Sequence, residues 1–404
     1  MKIERLNADF GNSTDNFLAD SFYYEILACV AELSKEEANS VFTNKVEDVE
    51  DLLDRLLIST NIDGEDRYFL VGNIAKNNPY ANAHVGQMHD KIKSDIPYVI
   101  FLAAMAYYYK VKNPNGENVA EIEIDQMKMM LPIWLLKKEE KFSNGQSKMA
   151  NRFIGEHKVT LLTAGMETEL TIKVENAKCY IESEVGRWAI KYKITNDMDK
   201  DVTIIEKRAE AKKFDDVETV LIDIGGGSTD AVRLAKGLST PVSKDSFQVI
   251  QIQPFLGRLE KLLKEKLIER FSDLRSLETF IVENYTNSKY ILKNPNTGKK
   301  YDLTEPITEM LQEYADLLVY KVMETFSSSK GVIKYIYFGG LAPILAPYIK
   351  DCVERMTNED IAENNHHILN ELITEDSSEV FRPAARTLNV TALEILSLNE
   401  RKNK

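Results

Sequence analysis

The sequence predicts an α/β fold built as two similar lobes. Strand-like and helical stretches alternate along the 404 residues, the pattern of sheets covered by helices. Two segments look alike, Asp9-Phe10-Gly11-Asn12-Ser13-Thr14-Asp15 and Asp223-Ile224-Gly225-Gly226-Gly227-Ser228-Thr229-Asp230; each follows a strand, and they begin 214 positions apart. The length suits two to four domains or one large bilobal one.

Taken in order, Met1 to Ala8 reads as an opening strand, and Lys45 to Leu57 carries helical spacing. Arg67 to Val71, followed by Gly72, reads as a strand. Ile96 to Tyr109 is the longest apolar run, 14 residues. As a helix it would span about 21 Å, short of a bilayer core of about 30 Å. A core helix capped by Asp95, with Pro97 in its first turn, is therefore expected. Val119 to Ile124 alternates like a strand, and Val159 to Val174 resembles a hairpin turning at Ala164-Gly165. Val217 to Ile224 is a strand entering a glycine-rich turn. Phe255 to Phe271 reads as an amphipathic helix and Ile307 to Phe326 as a second long one. Val332 to Phe338 is a strand ending at Gly339-Gly340. In Asn196 to Asp216, 12 of 21 residues are charged; this solvated stretch is the candidate lobe boundary.

Composition narrows the function. A formal charge of −13 argues against direct nucleic-acid binding, which needs clustered cations. The three cysteines, Cys29, Cys179 and Cys352, lie far apart with no CxxC, as expected of reduced thiols in a cytoplasmic protein. MKIERLNADFG has no apolar signal core, so secretion is not expected, and no membrane partner is implied. His366-His367, adjacent on a helix, would point about 100° apart and make a poor metal pair. Tyr107-Tyr108-Tyr109 reads as core and helix-end packing, and Arg401 to Lys404 as a solvated tail.

The chemistry sits in the glycine turns. A turn of this kind bends the backbone tightly and aims successive N–H groups at an anion. Ser13, Ser228 and Thr229 add hydroxyl donors. The leading Asp9 and Asp223 are suited to holding Mg²⁺ through water, since that ion keeps several waters and uses few carboxylates. Two such turns could grip one polyphosphate. No Walker A loop occurs, and the dinucleotide fingerprint fails because Asp230 stands where a glycine is needed. Tyr337-Phe338-Gly339-Gly340-Leu341-Ala342 offers two glycines after a strand, against which a flat ring could lie.

The order of these motifs resembles the actin-like ATPase superfamily, with phosphate-one, phosphate-two and adenosine segments in sequence. Within it the chain resembles the ParM-like bacterial actins that segregate plasmids. Tyr68 to Ala75 is similar to that family's "y-x-v-G-x-x-A" strand, Met130-Leu131-Pro132-Ile133 to its "G-L-P" strand, and Ile181-Glu182-Ser183-Glu184 to its "P-E-S" segment. Phe381 to Leu388 is similar to the helix start that closes the fold.

The resemblance implies an actin-like ATPase fold, two similar lobes flanking a nucleotide cleft. Lobe I would span 1–200 with helix 384–404 packing back on it, and lobe II 201–383. It implies ATP, with GTP as an alternative, and Mg²⁺ held by Asp9 and Asp223. Gly11, Asn12, Ser13 and Gly225, Gly226, Gly227, Ser228 and Thr229 would cradle the phosphates. Gly339, Gly340 and Leu341 would pack against the adenosine, with Gly257 and Arg258 nearby. Glu182 would align or deprotonate the attacking water, Glu184 being the competing candidate. The partners implied are further copies of the chain in a filament and a DNA-binding adaptor that links it to a plasmid. The same turns also resemble exopolyphosphatase and sugar-kinase relatives, which leaves a non-polymerising phosphotransferase as the alternative. The chain departs from the family at Asp15-Asn16-Phe17, where a lysine is common. An aspartate beside phosphates is unfavourable unless it faces away. Phe338 stands in place of a frequent glycine, and Ile181 in place of the proline.

Overall fold

The computed structural model describes residues 1–404 except 43, 77–88, 198–201, 288, 328–330 and 403–404. Of the terminal tail, Asn403 and Lys404 thus lie outside the described residues. The chain divides into two compact units, one of Met1–Val185 with Asn389–Lys404, the other Gly186–Leu388.

The first unit is organised by one large sheet. Its strands are β1 (Lys2–Phe10), β2 (Thr14–Ala19), β3 (Phe22–Leu27), β4 (Val30–Leu33), β5 (Leu56–Ile62), β6 (Glu65–Val71), β7 (Val119–Leu131), β8 (Gly155–Leu161), β9 (Thr168–Val174) and β10 (Ala177–Ile181). The order is β3-β2-β1-β7-β9-β8-β5-β6-β4, with β10 also on β7. β7 is long enough to serve two neighbours along one edge, β9 at Val119–Ile124 and β10 at Met127–Leu131. β1 runs parallel along the other edge, Asn7 opposite Lys128. The helices are α1 (Lys35–Ser40), α2 (Asn73–Lys76), α3 (Ile96–Lys112), α4 (Ile133–Leu136) and α5 (Phe142–Asn151).

α3 is buried almost all round, as expected of a helix apolar on every face. Tyr107 and Tyr108 pack with Tyr24, whose hydroxyl donates to the Ala104 carbonyl at 3.2 Å. Asp95 precedes the helix but does not cap it. Its carboxylate accepts instead from Arg67 at 2.8 Å and Arg152 at 3.4 Å, ion pairs that outcompete the cap. The helical spacing in Lys45–Leu57 also resolves differently. A short 3₁₀ turn, Val49–Asp54, is capped by Asp48, and buried Leu56 and Leu57 then open β5. Those leucines pack within a sheet, so tertiary burial overrides the local period.

In the second unit the central sheet contains β13 (Glu218–Ile224), β14 (Thr229–Leu234), β15 (Phe247–Val249), β18 (Ile333–Phe338) and β19 (His366–Ile368). Two hairpins are separate from it, β11 (Tyr192–Asp197) with β12 (Val202–Lys207) and β16 (Ile291–Lys293) with β17 (Lys300–Asp302). Of the charged stretch Asn196–Asp216, residues 196–197 and 202–207 lie on β11 and β12, Glu210–Phe214 forms a 3₁₀ turn, and 198–201 lie outside the described residues. The central order is β15-β14-β13-β18-β19. β13 and β14 are antiparallel, as are β14 and β15, while β13, β18 and β19 are parallel. This repeats the β3-β2-β1-β7-β10 run of the first unit, pairing senses included. The look-alike aspartate turns sit at equivalent points of the repeat, between β1 and β2 and between β13 and β14.

The helices here are α6 (Arg187–Lys191), α7 (Phe255–Leu262), α8 (Leu274–Asn284), α9 (Thr304–Thr325), α10 (Ala342–Met356), α11 (Glu359–Asn365) and α12 (Leu369–Leu372). The helix expected over Phe255–Phe271 is α-helical only to Leu262 and passes into a π turn at Leu263–Leu267. His366 and His367 lie on a strand rather than a helix, so they face opposite sides of the sheet. His366 is stacked against Tyr335 and bonds the Tyr337 hydroxyl at 2.9 Å. Among the described residues no group of three or more His, Cys, Asp or Glu is placed to ligate a metal ion directly, and no helix is long and apolar enough to cross a membrane. The three cysteines are free and buried.

Residues 381–387 are irregular, and the last helix, α13 (Leu388–Lys402), begins only at Leu388. Asn389 onward belongs to the first unit, where its polar face is pinned to β1. Arg5 donates twice to Glu394 Oε1 at 3.2 Å, Asn7 donates to Glu394 Oε2 at 2.6 Å, and Ser397 donates to Asn7 at 2.9 Å. Glu394 and Arg5 are both buried. Glu394→Ala removes the buried partner of Arg5 and leaves only Glu4 and Asp20, 3.5 and 3.7 Å from its Nη1; removing one half of a buried pair costs about 3–5 kcal/mol. Urea unfolding should show that loss, with less of it in Glu394→Gln, which keeps an acceptor for Arg5.

Candidate functional site

In the first unit the parallel strands β1, β7 and β10 end together. Asp9 lies near the end of β1, and Glu182 follows β10 directly, its N–H bonded to the Leu131 carbonyl at 2.9 Å. The β1–β2 turn carries Gly11, Asn12 and Ser13. A side chain at Gly11 would overlap the Thr14 carbonyl oxygen, so only glycine closes this turn. Ser13 is held through its carbonyl, which accepts from Ala28 N–H at 3.0 Å. Ser183, after Glu182, has φ +67° and is fully buried. A β-to-turn residue in the left-handed region stores strain of a kind that collects at functional sites.

Three carboxylates converge here. Asp9 is 7% and Asp15 1% exposed; Glu182 is the third. Asp15 therefore faces inward, and the Gly11 N–H bonds its carboxylate. One cation opposes them: Lys91, buried, with Nζ 3.9 Å from Glu182 Oε2. Burial, reinforced by the Glu182 charge, pushes the Asp9 carboxyl up to about 7, while Lys91 pulls it back. Burial also pushes Asp15 well up, against the pull of Lys91. Asn12 Oδ1, Asp15 Oδ2, Glu182 Oε2 and Ser183 Oγ are buried and have no hydrogen-bond partner among the described residues. Buried polar atoms are normally paired. Unmet acceptors of this kind suit the water shell of Mg²⁺ rather than direct ligation, for which no group of three acids is close enough among the described residues.

The second unit assembles its own group. Asp223 lies near the end of β13, opposite Phe338 of β18. Gly225 N–H closes the turn onto the Ser228 carbonyl at 3.0 Å, so Gly226 and Gly227 form its tip. Gly226 packs on Leu256, whose N–H returns a bond to the Gly226 carbonyl at 3.0 Å. This seats Gly257 and Arg258, in the first turn of α7, beside the phosphate-type turn. Arg258 pairs with Glu313 at 3.8 Å. Gly339 has φ +90°, and a side chain there would strike the Asp223 carboxylate. Leu341 N–H bonds the Ile224 carbonyl at 3.2 Å, and Gly340 lies against Arg386. The second-unit candidates Asp223, Gly225 to Thr229, Gly257, Arg258 and Gly339 to Leu341 thus meet at the carboxyl ends of parallel strands, where ligands of α/β sheets bind.

A solved structure of the actin-like protein Alp7A is 44% identical over 100% of this chain and 98% of its own, with a TM-score of 0.87. The chain belongs to the Alp7A family of actin-like proteins. Residues 218–372 match the model of the Alp7A C-terminal domain. The actin-like fold of the family extends to more distant structures. Bacillus thuringiensis ParM with ATP is 15% identical, TM-score 0.63, over 98% of this chain and 99% of that one. A 15-stranded ParM filament from Clostridium botulinum is 13% identical, TM-score 0.64, over 99% and 100%. Among curated proteins none matches.

Two inward-facing residues of the first unit escape sequence reading. Lys91 belongs to no motif, and nothing in His89-Asp90-Lys91-Ile92 marks it. Asp15 stands out in the sequence only as an acid where a lysine is common, and instead of facing away it turns inward. The raised Asp9 carboxyl has a measurable consequence. Folded Asp9 keeps its proton up to about pH 7, whereas the unfolded chain releases it near 4. The stability this group contributes is therefore present below pH 4 and is lost as pH rises through 7. In urea unfolding without nucleotide, Asp9→Asn should gain on the wild type by about 2–4 kcal/mol between pH 4 and 8. A constant difference across that range would remove Asp9 from the buried carboxylate group.

Proposed function

We propose that the chain is an ATPase that assembles head to tail into filaments in its nucleoside-triphosphate state. It would act in the cytoplasm, joined to plasmid DNA by a DNA-binding adaptor. The carrying observation is the repeated half-site: one strand order in both units, each with an aspartate strand running into a turn of glycine and hydroxyl residues. Membership of the Alp7A family supports the reading, as do the ATP held by the Bacillus thuringiensis ParM and the filament formed by the Clostridium botulinum ParM.

Asp9 and Asp223 would hold Mg²⁺ through water. The turns at Gly11–Ser13 and Gly225–Thr229 would receive the phosphates with amide and hydroxyl donors. Gly339, Gly340 and Leu341 would lie against the purine nucleoside, flanked by Gly257 and Arg258. Bound Mg²⁺ neutralises charge on the transferring phosphoryl group. Glu182 accepts a hydrogen bond from the attacking water, aligns it and takes its proton. Glu182, and not Glu184, acts on the Asp9 carboxyl electrostatically, which favours it for this role. Assembly follows from surfaces that repeat without closing, and a ligand favours assembly only by its differential affinity for the assembling form.

Glu182→Ala should lower phosphate release by about 10²-fold or more while nucleotide still binds, because a water-aligning base acts in the transition state. Its filaments should persist after ATP addition, as followed by sedimentation. Asp223→Ala should abolish most of the rise in melting temperature caused by ATP and Mg²⁺. Light scattering should rise with ATP or a non-hydrolysable analogue and stay low with ADP. Equal scattering in all three, or none, would defeat the filament reading in favour of a non-polymerising phosphotransferase.

A further inference from the structure

Lys91 is the buried cation that the functional reading leaves without a task. Its side chain is 3% exposed and its Nζ lies 3.9 Å from Glu182 Oε2. Its charge also acts on Asp9, Asp15 and Cys179. Burying an ammonium costs several kcal/mol unless partners compensate, and here the surrounding acids are those partners.

The main chain around it is clamped. Arg152 Nη1 donates to the carbonyls of Lys91 and Ile92 at 3.2 and 3.1 Å, and Arg152 Nη2 to Asp95 at 3.4 Å. Asp90 accepts the Ile92 N–H on its side chain at 3.1 Å, and the Lys93 and Ser94 N–H groups on its carbonyl at 3.0 and 2.8 Å. The Asp90–Ser94 turn is thus fixed at both ends, and the ammonium is delivered from a rigid base.

Glu182 has no such restraint. Its backbone is tied to Leu131, but Oε2 has no hydrogen bond among the described residues, and its side chain is 20% exposed. The Asp9 carboxyl and the Glu182 carboxylate disfavour each other's charge, and rotation of Glu182 towards solvent would relieve that. The attraction of Lys91 opposes the rotation. At 3.9 Å it does so as an ion pair and not as a close hydrogen bond, leaving the carboxylate acceptors for water.

We infer that Lys91 is a positioning residue that holds Glu182 inward among the carboxylates. This rests on the hydrolytic role proposed for Glu182. The first phosphate turn, with Asp15-Asn16-Phe17, brings no lysine of its own, so this cation enters the first unit's site from a different segment.

The test is a double-mutant cycle of wild type, Lys91→Met, Glu182→Gln and the double variant, read in two ways. In phosphate release, Lys91→Met should lower kcat by about 10- to 100-fold while KM moves less than about threefold. It should cause no further fall once Glu182 is Gln, and Lys91→Arg should recover part of the rate. In urea unfolding without nucleotide, the midpoint shifts of the two single variants should not add. Additive effects in either readout overturn the inference. If wild type releases no phosphate, the hydrolytic reading fails and the positioning role fails with it, while the unfolding cycle still reports whether the pair exists. Should Lys91→Met not fold, Lys91→Gln carries the same cycle.

Discussion

Parallel pairing of β7 with β1 on one edge and β10 on the other is the constraint on which the first unit's chemistry depends. Parallel strands end on the same side, so Asp9 and Glu182 emerge together, two strand spacings or about 9.5 Å apart along the sheet. The pairings Asn7 to Lys128 and Tyr180 to Met130 fix that alignment. A slip of one residue on β1 would turn Asp9 to the opposite face. Once three carboxylates are confined in a poorly solvated space, the rest follows. Protons are retained, a lysine is admitted, and acceptors are left for something positive to satisfy.

The second unit uses the same strand order for a different end. There the strand equivalent to β7 is β18, which closes with Gly339 and leaves no side chain between the backbone and Asp223. The strand equivalent to β10 is β19, which ends in apolar Ile368 and is followed by apolar Leu369. The duplication is thus one of scaffold. Both copies present an aspartate and a glycine turn, but a glutamate follows the outer strand in only one. The group proposed to act on the water therefore belongs to the first unit alone.

Much of this was readable from residues. Asp223 to Asp230 declares itself because few structural roles ask for three glycines and two hydroxyls after an apolar strand. The β-branched and aromatic run at Val332–Phe338 likewise has no other good use than a buried strand. The misreadings share one cause, which is that distant partners outvote local pattern. Asp95 looked like a helix cap and became the counter-ion of Arg67 and Arg152. Leu56 and Leu57 fitted a helical stripe but open a strand that is buried on both faces. Lys91 could not be found by any local rule. Its significance lies in three acids that are far from it in sequence, and no spacing records that meeting.

The pinning of α13 to β1 joins residues 389 positions apart, Arg5 and Glu394. On the ribosome these partners are separated by the whole of the second unit, roughly two hundred residues. At about 5–20 residues per second, that interval lasts about 10–40 s. Throughout it the nascent first unit carries Arg5, Asn7 and Lys128 without Glu394, Ser397 and Glu400, three buried polar groups facing an uncovered sheet. The second unit is contiguous, and all of its chain is present as soon as Leu388 is made. Biosynthesis therefore reverses the order of the sequence: the half that is translated first is the half that matures last.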